Sequence, residues 1–294
     1  LAASRAAPMV LDLTRHVRTE ERARKFLERQ CWPSGQPVCP RCGGGRAYAL
    51  AEGRVRCAGC RYTFHALSGR FAGLAGLTPR QWLRLLALFA VDATAHAMAA
   101  ALGLAYNTAY KAATVVRLSI LAASLDGVAI LKSPLGAQLG SAARALRPNA
   151  PDEPLATVPV FGILERGDLV FVDYLPSLTP QDLLHFNRNF SLPLSRLGAI
   201  VYSDRYLRYD ALVACGSDLL TRHLVEISGR APAVDPRQTG FWPYARERLV
   251  RFHGVTAHKF PLYLKELEFR YNHRDDDILA ILLANISSLV PDLN

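Results

Sequence analysis

Four of the six cysteines fall in two tight pairs, Cys39-Pro40-Arg41-Cys42 and Cys57-Ala58-Gly59-Cys60, with fourteen residues between the pairs. Two residues between cysteines let both thiolates face one ion while backbone amides turn back toward the sulfurs. Gly43, Gly44, Gly45 and Gly59 allow the tight turns this needs. Four thiolates in tetrahedral array suit Zn2+ and leave no open position, so Cys39, Cys42, Cys57 and Cys60 read as a structural zinc site, not a catalytic one. The spacing is not that of the ferredoxin iron–sulfur centres. In a cytosolic chain, Cys-x-x-Cys steps favour metal over disulfides. Cys31 and Cys215 stand apart and read as small buried hydrophobes. His65 lies close by and, with four thiolates present, reads as a surface or packing histidine.

The cysteines frame a module over residues 38–66. Residues 47–51 and 54–56 read as a short hairpin around Glu52-Gly53, which makes the module a zinc ribbon. A unit this small builds no core of its own, so zinc contributes folding energy directly. Arg41, Arg46, Arg54, Arg56 and Arg61 crowd it. They read either as a phosphate-contacting face or as a solvated one.

The whole chain leans the same way. Its 294 residues carry 35 Lys and Arg against 25 Asp and Glu, a formal charge of +10 that suits a polyanionic partner. Half the residues are hydrophobic, a globular composition. No apolar run reaches membrane-spanning length, and the first residues lack a secretory signal core, so no membrane association or secretion is expected.

Before the ribbon, residues 19–30 read as a helix capped by Thr19, with Glu20 and Glu21 in its first turn. Residues 78–125 read as all-helical. Thr78-Pro79 caps a helix over 80–90 that presents Trp82, Leu85, Leu86 and Phe89 on one side. Residues 95–102 and 106–117 read as two more helices, with Gly103 supplying a left-handed turn between them and Leu104 packing there. Tyr106, Asn107, Thr108, Tyr110 and Lys111 then stand at the start of the second helix, where a recognition helix reaches base edges and phosphates. The alternative is an ordinary helical hairpin.

From Gly127 the character changes. Residues 158–164 and 169–174 alternate as strands around a turn at 165–168, and 198–202 reads as a further strand. Residues 179–190 read as a helix, and 241–252, 261–271 and 276–289 as three closing helices. The stretch 136–155 reads as a loop or insertion. Glu247, Glu266 and Glu268 fall on predicted helices and read as solvated. His253, His258 and His273 read as packing or phosphate-contacting residues.

The order of these parts, with several short motifs, resembles the zinc-ribbon insertion-sequence transposases of the ISXO2-like group. Their catalytic domain belongs to the RNase H-like, acidic-triad superfamily. The resemblance runs from about residue 19 to 289. It rests on Trp32-Pro33-Ser34-Gly35 followed by Cys39-Pro40-Arg41-Cys42, and on Val158-Pro159-Val160-Phe161-Gly162-Ile163-Leu164-Glu165-Arg166. Val201-Tyr202-Ser203-Asp204, Phe241-Trp242-Pro243-Tyr244-Ala245-Arg246, Phe252-His253-Gly254-Val255 and the run from Leu264 to Arg274 follow in order.

Such enzymes hold two divalent metals on three acidic or amide positions. The resemblance places the second of them at Asp204. Aligning Val128-Ala129-Ile130 with the family's first strand puts Leu131 where the first acid belongs and Lys132 after it. Thr239 falls at the third position. Two expected ligands are thus replaced, and one carboxylate binds Mg2+ poorly. Asp204 is then a catalytic remnant or only a strand-end cap. Asp126 and Asp235 are the nearest substitutes. On a strand, Asp126 faces away from Leu131, and Asp235 before Pro236 reads as a helix cap.

The expected fold is multi-domain α+β. An N-terminal helical segment (1–36) precedes the zinc ribbon (37–70), a helix-turn-helix region (71–125) and an RNase H-like α/β domain (126–294). The expected function is that of a transposase-derived DNA-binding protein, catalytically inactive, acting as a regulator or architectural factor. The alternative is an active transposase performing metal-dependent cleavage and strand transfer, and a decaying element with no role stands behind both. The implied cofactor is structural Zn2+, without Mg2+. The implied partner is double-stranded DNA, held by Arg41, Arg54, Arg56, Arg61 and the five residues from Tyr106 to Lys111 named above. A homodimer or larger homo-oligomer, in the bacterial cytoplasm with the nucleoid, follows from the resemblance.

Overall fold

The computed structural model describes residues 13, 16–146, 159–177, 200–206, 209–214, 240–241, 244–245, 247–248, 255 and 259–293, with 200–214 described by backbone alone. The chain divides into two compact units, Leu1–Ala123 with Asp276–Asp292, and Ser124–Asp275 with Leu293–Asn294. The fold is mixed helix and sheet. Among the described residues no helix is long and apolar enough to cross a membrane.

The first unit begins with α1 (Glu20–Cys31). Thr19 caps it, its hydroxyl accepting from the Arg22 amide, and Glu20 and Glu21 meet the positive end of the helix dipole. Ala23, Phe26, Leu27 and Cys31 form the buried face. Then come β1 (Ala47–Ala49), a 3-10 turn at Ala51–Gly53, β2 (Val55–Cys57) and β3 (Thr63–Phe64), an antiparallel sheet in chain order. The hairpin was legible in the sequence; the two-residue β3 was not.

Three helices follow. In α2 (Pro79–Ala90), Thr78 and Gln81 form a reciprocal capping box and Pro79 occupies the first turn. Trp82, Leu83, Leu85, Leu86 and Phe89 are buried, and the Trp82 indole donates to the Ala72 carbonyl at 2.8 Å. Helix α3 (Ala95–Leu102) ends at Gly103, which takes φ 63°, and α4 (Tyr106–Ala123) starts three residues on. The Leu104 amide reaches back to the Ala99 carbonyl at 3.0 Å, closing the turn.

The second unit opens with three short helices, α5 (Gly127–Lys132), α6 (Pro134–Gln138) and α7 (Ser141–Leu146). Its sheet comprises β4 (Val160–Arg166), β5 (Leu169–Tyr174), β6 (Ile200–Tyr206) and β7 (Tyr209–Ala214). The order is β5-β4-β7-β6, every neighbouring pair antiparallel. Helix α8 (Phe260–Asn272) packs against β5. The last helix, α9 (Ile278–Ser287), is capped by Asp277 and packs in the first unit against α1, α2 and α4.

Three expectations are corrected here. The strand placed over Val128-Ala129-Ile130 is the helix α5. Gly127, Ile130 and Leu131 are buried while Val128, Ala129 and Lys132 are exposed, a helical spacing that an apolar run of this length does not reveal in advance. Residues 136–138 and 141–146, read as loop, belong to α6 and α7; residues 147–155 lie outside the described set. Glu266 is buried and Glu268 is partly buried, so neither is on a solvated face. Glu266 pairs with Arg270 at 2.7 Å, both at most 4% exposed. Glu268 and Asp126 share Lys265, at 3.0 and 2.6 Å. The predicted helix at 179–190 lies outside the described residues, as does most of that at 241–252.

The first unit is fastened by Arg70. Its side chain is 8% exposed. It donates to the carbonyls of Ala66, at 2.9 Å, Cys31, at 2.7 Å, and Ser287. Cys31 and Ser287 are the last residues of α1 and α9, where carbonyls lack intrahelical partners. Beside it the Val290 amide bonds the Gly69 carbonyl at 2.9 Å. Gly69 takes φ 69°, and a Cβ there would stand 2.8 Å from Pro40. Arg70→Met removes a charge-assisted donor from three buried carbonyls and is expected to cost about 3 kcal/mol in equilibrium denaturation. A cost under about 0.5 kcal/mol, the level of a surface substitution, would show that water replaces the guanidinium.

Candidate metal centre and nucleic-acid interface

The two cysteine pairs adopt the same backbone turn. The Gly43 amide bonds the Cys39 carbonyl at 2.9 Å, as the Arg61 amide bonds that of Cys57 at 3.2 Å. The Cys39 amide bonds the Gly44 carbonyl at 3.0 Å, as that of Cys57 bonds Tyr62 at 2.9 Å. Each pair is followed by a left-handed residue, Gly43 at φ 70° and Arg61 at φ 62°. The second turn therefore draws on Arg61, a strained choice for a side chain with a Cβ, where the sequence had suggested Gly59.

The four sulfurs lie within 4.8 Å of one another, with Cys39 to Cys60 and Cys42 to Cys57 both at 3.6 Å. A zinc ion at ~2.3 Å from each sulfur of a regular tetrahedron sets their separation at ~3.8 Å. The cluster therefore fits structural Zn2+. The amides of Cys60 and Gly59 hold the Cys57 thiol down to about 6 despite its burial. The Cys42 sulfur accepts from the Gly44 amide, yet the sulfurs of Cys60, Cys57 and Cys39 push it up to about 12. A divalent cation takes all four as thiolates and removes that competition. Cys39, Val55, Cys57 and Phe64 form a small core, with Trp32, Ala47 and Cys60 against it. His65 is exposed and its Nδ1 accepts from the Leu67 amide at 3.2 Å, consistent with a packing role.

Arg41, Arg54, Arg56 and Arg61 are all exposed on the ribbon. Arg41 lies over the Tyr62 ring at 6.0 Å, and the Arg56 Nε donates to the Thr63 hydroxyl at 3.4 Å. On α4, Tyr106, Asn107 and Lys111 are exposed, while Thr108 and Tyr110 are half-buried. The next two turns bury Ala112, Ala113, Val115, Val116 and Leu118, so only the start of the helix faces outward. His96 of α3 stacks on Tyr106 at 4.3 Å, and Tyr106 on Tyr110 at 5.8 Å. His96 was not singled out in the sequence; its only signal is a position one element before Tyr106.

The remnant centre is less complete. Asp204 lies on β6, and its side chain is outside the described residues, as are Thr239, Asp235, Cys215, His253 and His258. Leu131 is 1% exposed on α5. Its carbonyl would stand 2.3 Å from a Cβ on Gly136, so the chain after it folds back too closely for any other residue. Asp126 stands just before the helix α5, not on a strand. It accepts from Lys265 and, at 3.3 Å, from the Tyr174 amide at the open edge of β5. Glu268 accepts from the Val172 amide at 3.2 Å, and Asn272 exchanges two bonds with Val170, at 2.8 and 2.7 Å. Burial pushes the Glu268 carboxyl up against the pull of Lys265. His273 stacks on Phe269 at 4.9 Å.

A four-thiolate ribbon followed by helices and an antiparallel sheet defines a zinc-ribbon protein. Residues 18–63 match the transposase zinc-ribbon domain, and residues 126–272 match the ISXO2-like transposase domain. A curated relative, an uncharacterized transposase-like protein of Haemophilus influenzae, is 30% identical over 107 residues, covering 36% of this chain and 83% of that protein. No solved structure matches the chain. The chain belongs to the ISXO2-like transposase family, and its paired domains imply a DNA partner.

One zinc per chain is expected by elemental analysis of the purified protein, and Cys57→Ser is expected to lose it. Chelation should abolish the ordered amide signals of residues 38–66, because the ribbon's apolar cluster is too small to hold the fold without zinc. Retention of those signals without zinc would contradict this.

Proposed function

We propose that this chain is a transposase-derived DNA-binding protein whose strand-transfer centre is disabled. It holds double-stranded DNA through α3 and α4 acting as a helix-turn-helix, with the ribbon arginines on the phosphates. The observation that carries the reading is the exposed opening turn of α4. Tyr106, Asn107 and Lys111 face solvent on a helix whose middle turns are buried, just after a left-handed turn at Gly103. Such a turn presents an amide side chain to base edges and cations to phosphates.

The second unit is read as a degenerate RNase H-like domain. Leu131, at the position the family resemblance gives to the first acid, offers no ligand atom and is buried on the helix α5. Asp126, the nearest carboxylate in sequence, is engaged by Lys265. Two-metal chemistry needs charge from several ligands, and Asp204 alone does not supply it. A regulatory or architectural role in the bacterial cytoplasm, with the nucleoid, follows from this reading. Assembly as a homodimer or larger homo-oligomer is carried over from the family resemblance.

In a gel-shift series on terminal-repeat duplex, Asn107→Ala should relax sequence preference at a cost of about 1–3 kcal/mol. Lys111→Ala should weaken binding to all sequences and lower the salt slope by about one. The same duplex incubated with Mg2+ or Mn2+ is expected to stay intact. Metal-dependent nicking that disappears on Asp204→Ala would overturn the disabled-centre reading in favour of an active transposase.

A further inference from the structure

The ribbon sheet has two faces of opposite character. Val55, Cys57 and Phe64 are buried on the zinc side. Strand alternation puts Tyr48, Arg56 and Thr63 on the other side. The register sets Tyr48 across from Arg56, and Arg56 across from Thr63. One step along the ladder, the Leu50 amide bonds the Arg54 carbonyl at 2.8 Å, and Leu50 and Arg54 follow Tyr48 and Arg56 in the alternation.

This open face is exposed in the way a binding platform requires. Tyr48 is 62% exposed although it is the middle residue of its strand, and Leu50 is 39% exposed. Arg54 and Arg56 are exposed beside them. The bond from Arg56 to Thr63 draws its guanidinium across β3, leaving the Tyr48 ring uncovered on that flank. Residues 38–66 contain five arginines and one acid, Glu52, so the face is strongly cationic. Folding of the module rests on zinc and on the buried side, neither of which involves Tyr48.

We infer that this face is a stacking platform for single-stranded DNA, with an unpaired base on Tyr48 and the adjoining phosphates on Arg54 and Arg56. The inference rests on the DNA-binding reading above and adds a substrate class to it. A base inside a duplex already has neighbours on both faces and offers nothing to an exposed ring. An unpaired base offers a free π-face, and stacking on it tolerates any sequence. Arginines alone would suit duplex phosphates equally well; the exposed ring on the strand beside them decides for the single strand.

The test uses the zinc-loaded full chain and two labelled probes in fluorescence anisotropy, an oligothymidylate and a mixed-sequence duplex of equal length. Tyr48→Ala is expected to weaken oligothymidylate binding about tenfold. Duplex binding and the zinc content should stay unchanged, and Tyr48→Trp should restore the single-strand affinity. Arg56→Ala should weaken the single strand as well, with a reduced salt dependence. Unchanged oligothymidylate binding in Tyr48→Ala, or an equal loss on both probes, would overturn the platform. A wild-type chain that holds duplex but ignores the single strand would overturn it while leaving the DNA reading intact. A chain that binds neither probe would overturn both.

Discussion

The guanidinium of Arg70 receives the C-terminal carbonyls of two helices that are far apart in the chain, α1 and α9, together with the Ala66 carbonyl just past the ribbon. Helix C-termini leave carbonyls unpaired, and burying them without donors is costly. Arginine is suited to the place because its planar fork carries several donors in fixed directions and stays charged even when burial opposes the charge. Burial does lower the Arg70 pKa, yet three acceptors converge on it. The end of α1, the exit of the ribbon and the end of α9 are thereby set relative to one another. Zinc works on a smaller scale in the same unit, replacing the apolar core that residues 38–66 are too few to build.

The second unit solves a different problem with polar groups. Strand β5 ends the sheet, so every other amide along it has no strand partner. Asn272 and Glu268, one helical turn apart on α8, meet Val170 and Val172, and Asp126 meets Tyr174. The helical step of four residues and the strand step of two are close in length, about 6 Å against about 7 Å, which is why one helix face can serve a strand edge. Lys265 lies between Asp126 and Glu268 and offsets the charge this arrangement buries. A covered edge also cannot pair with another chain.

The nucleic-acid reading draws on two surfaces of the first unit that differ in shape. The opening turn of α4 is narrow, carries an amide and a cation, and suits a groove. The open ribbon face is flat, with a ring among arginines, and suits a strand whose bases are free. Their chemistry is complementary.

Much of this was legible in residue spacing. The two Cys-x-x-Cys steps fix the ligands, because the geometry of two thiolates on one ion is local. The caps at Thr19 and Thr78 and the left-handed turn at Gly103 were readable for the same reason: each depends on neighbours within four residues. The sequence could not reveal that Val128-Ala129-Ile130 is helical, since a short apolar run suits either element until its packing partners are known. Nor could it reveal that Glu266 is buried and Glu268 partly so, since a carboxylate on a helix reads as solvated until the cation that accompanies it is placed. Local spacing determined the zinc site, the capped starts of the helices after Thr19 and Thr78, and the family. Tertiary structure alone decided where α9 packs, what Arg70 fastens, which face of the ribbon is left open and why Asp126 is not free, because each depends on residues distant in the chain meeting in space.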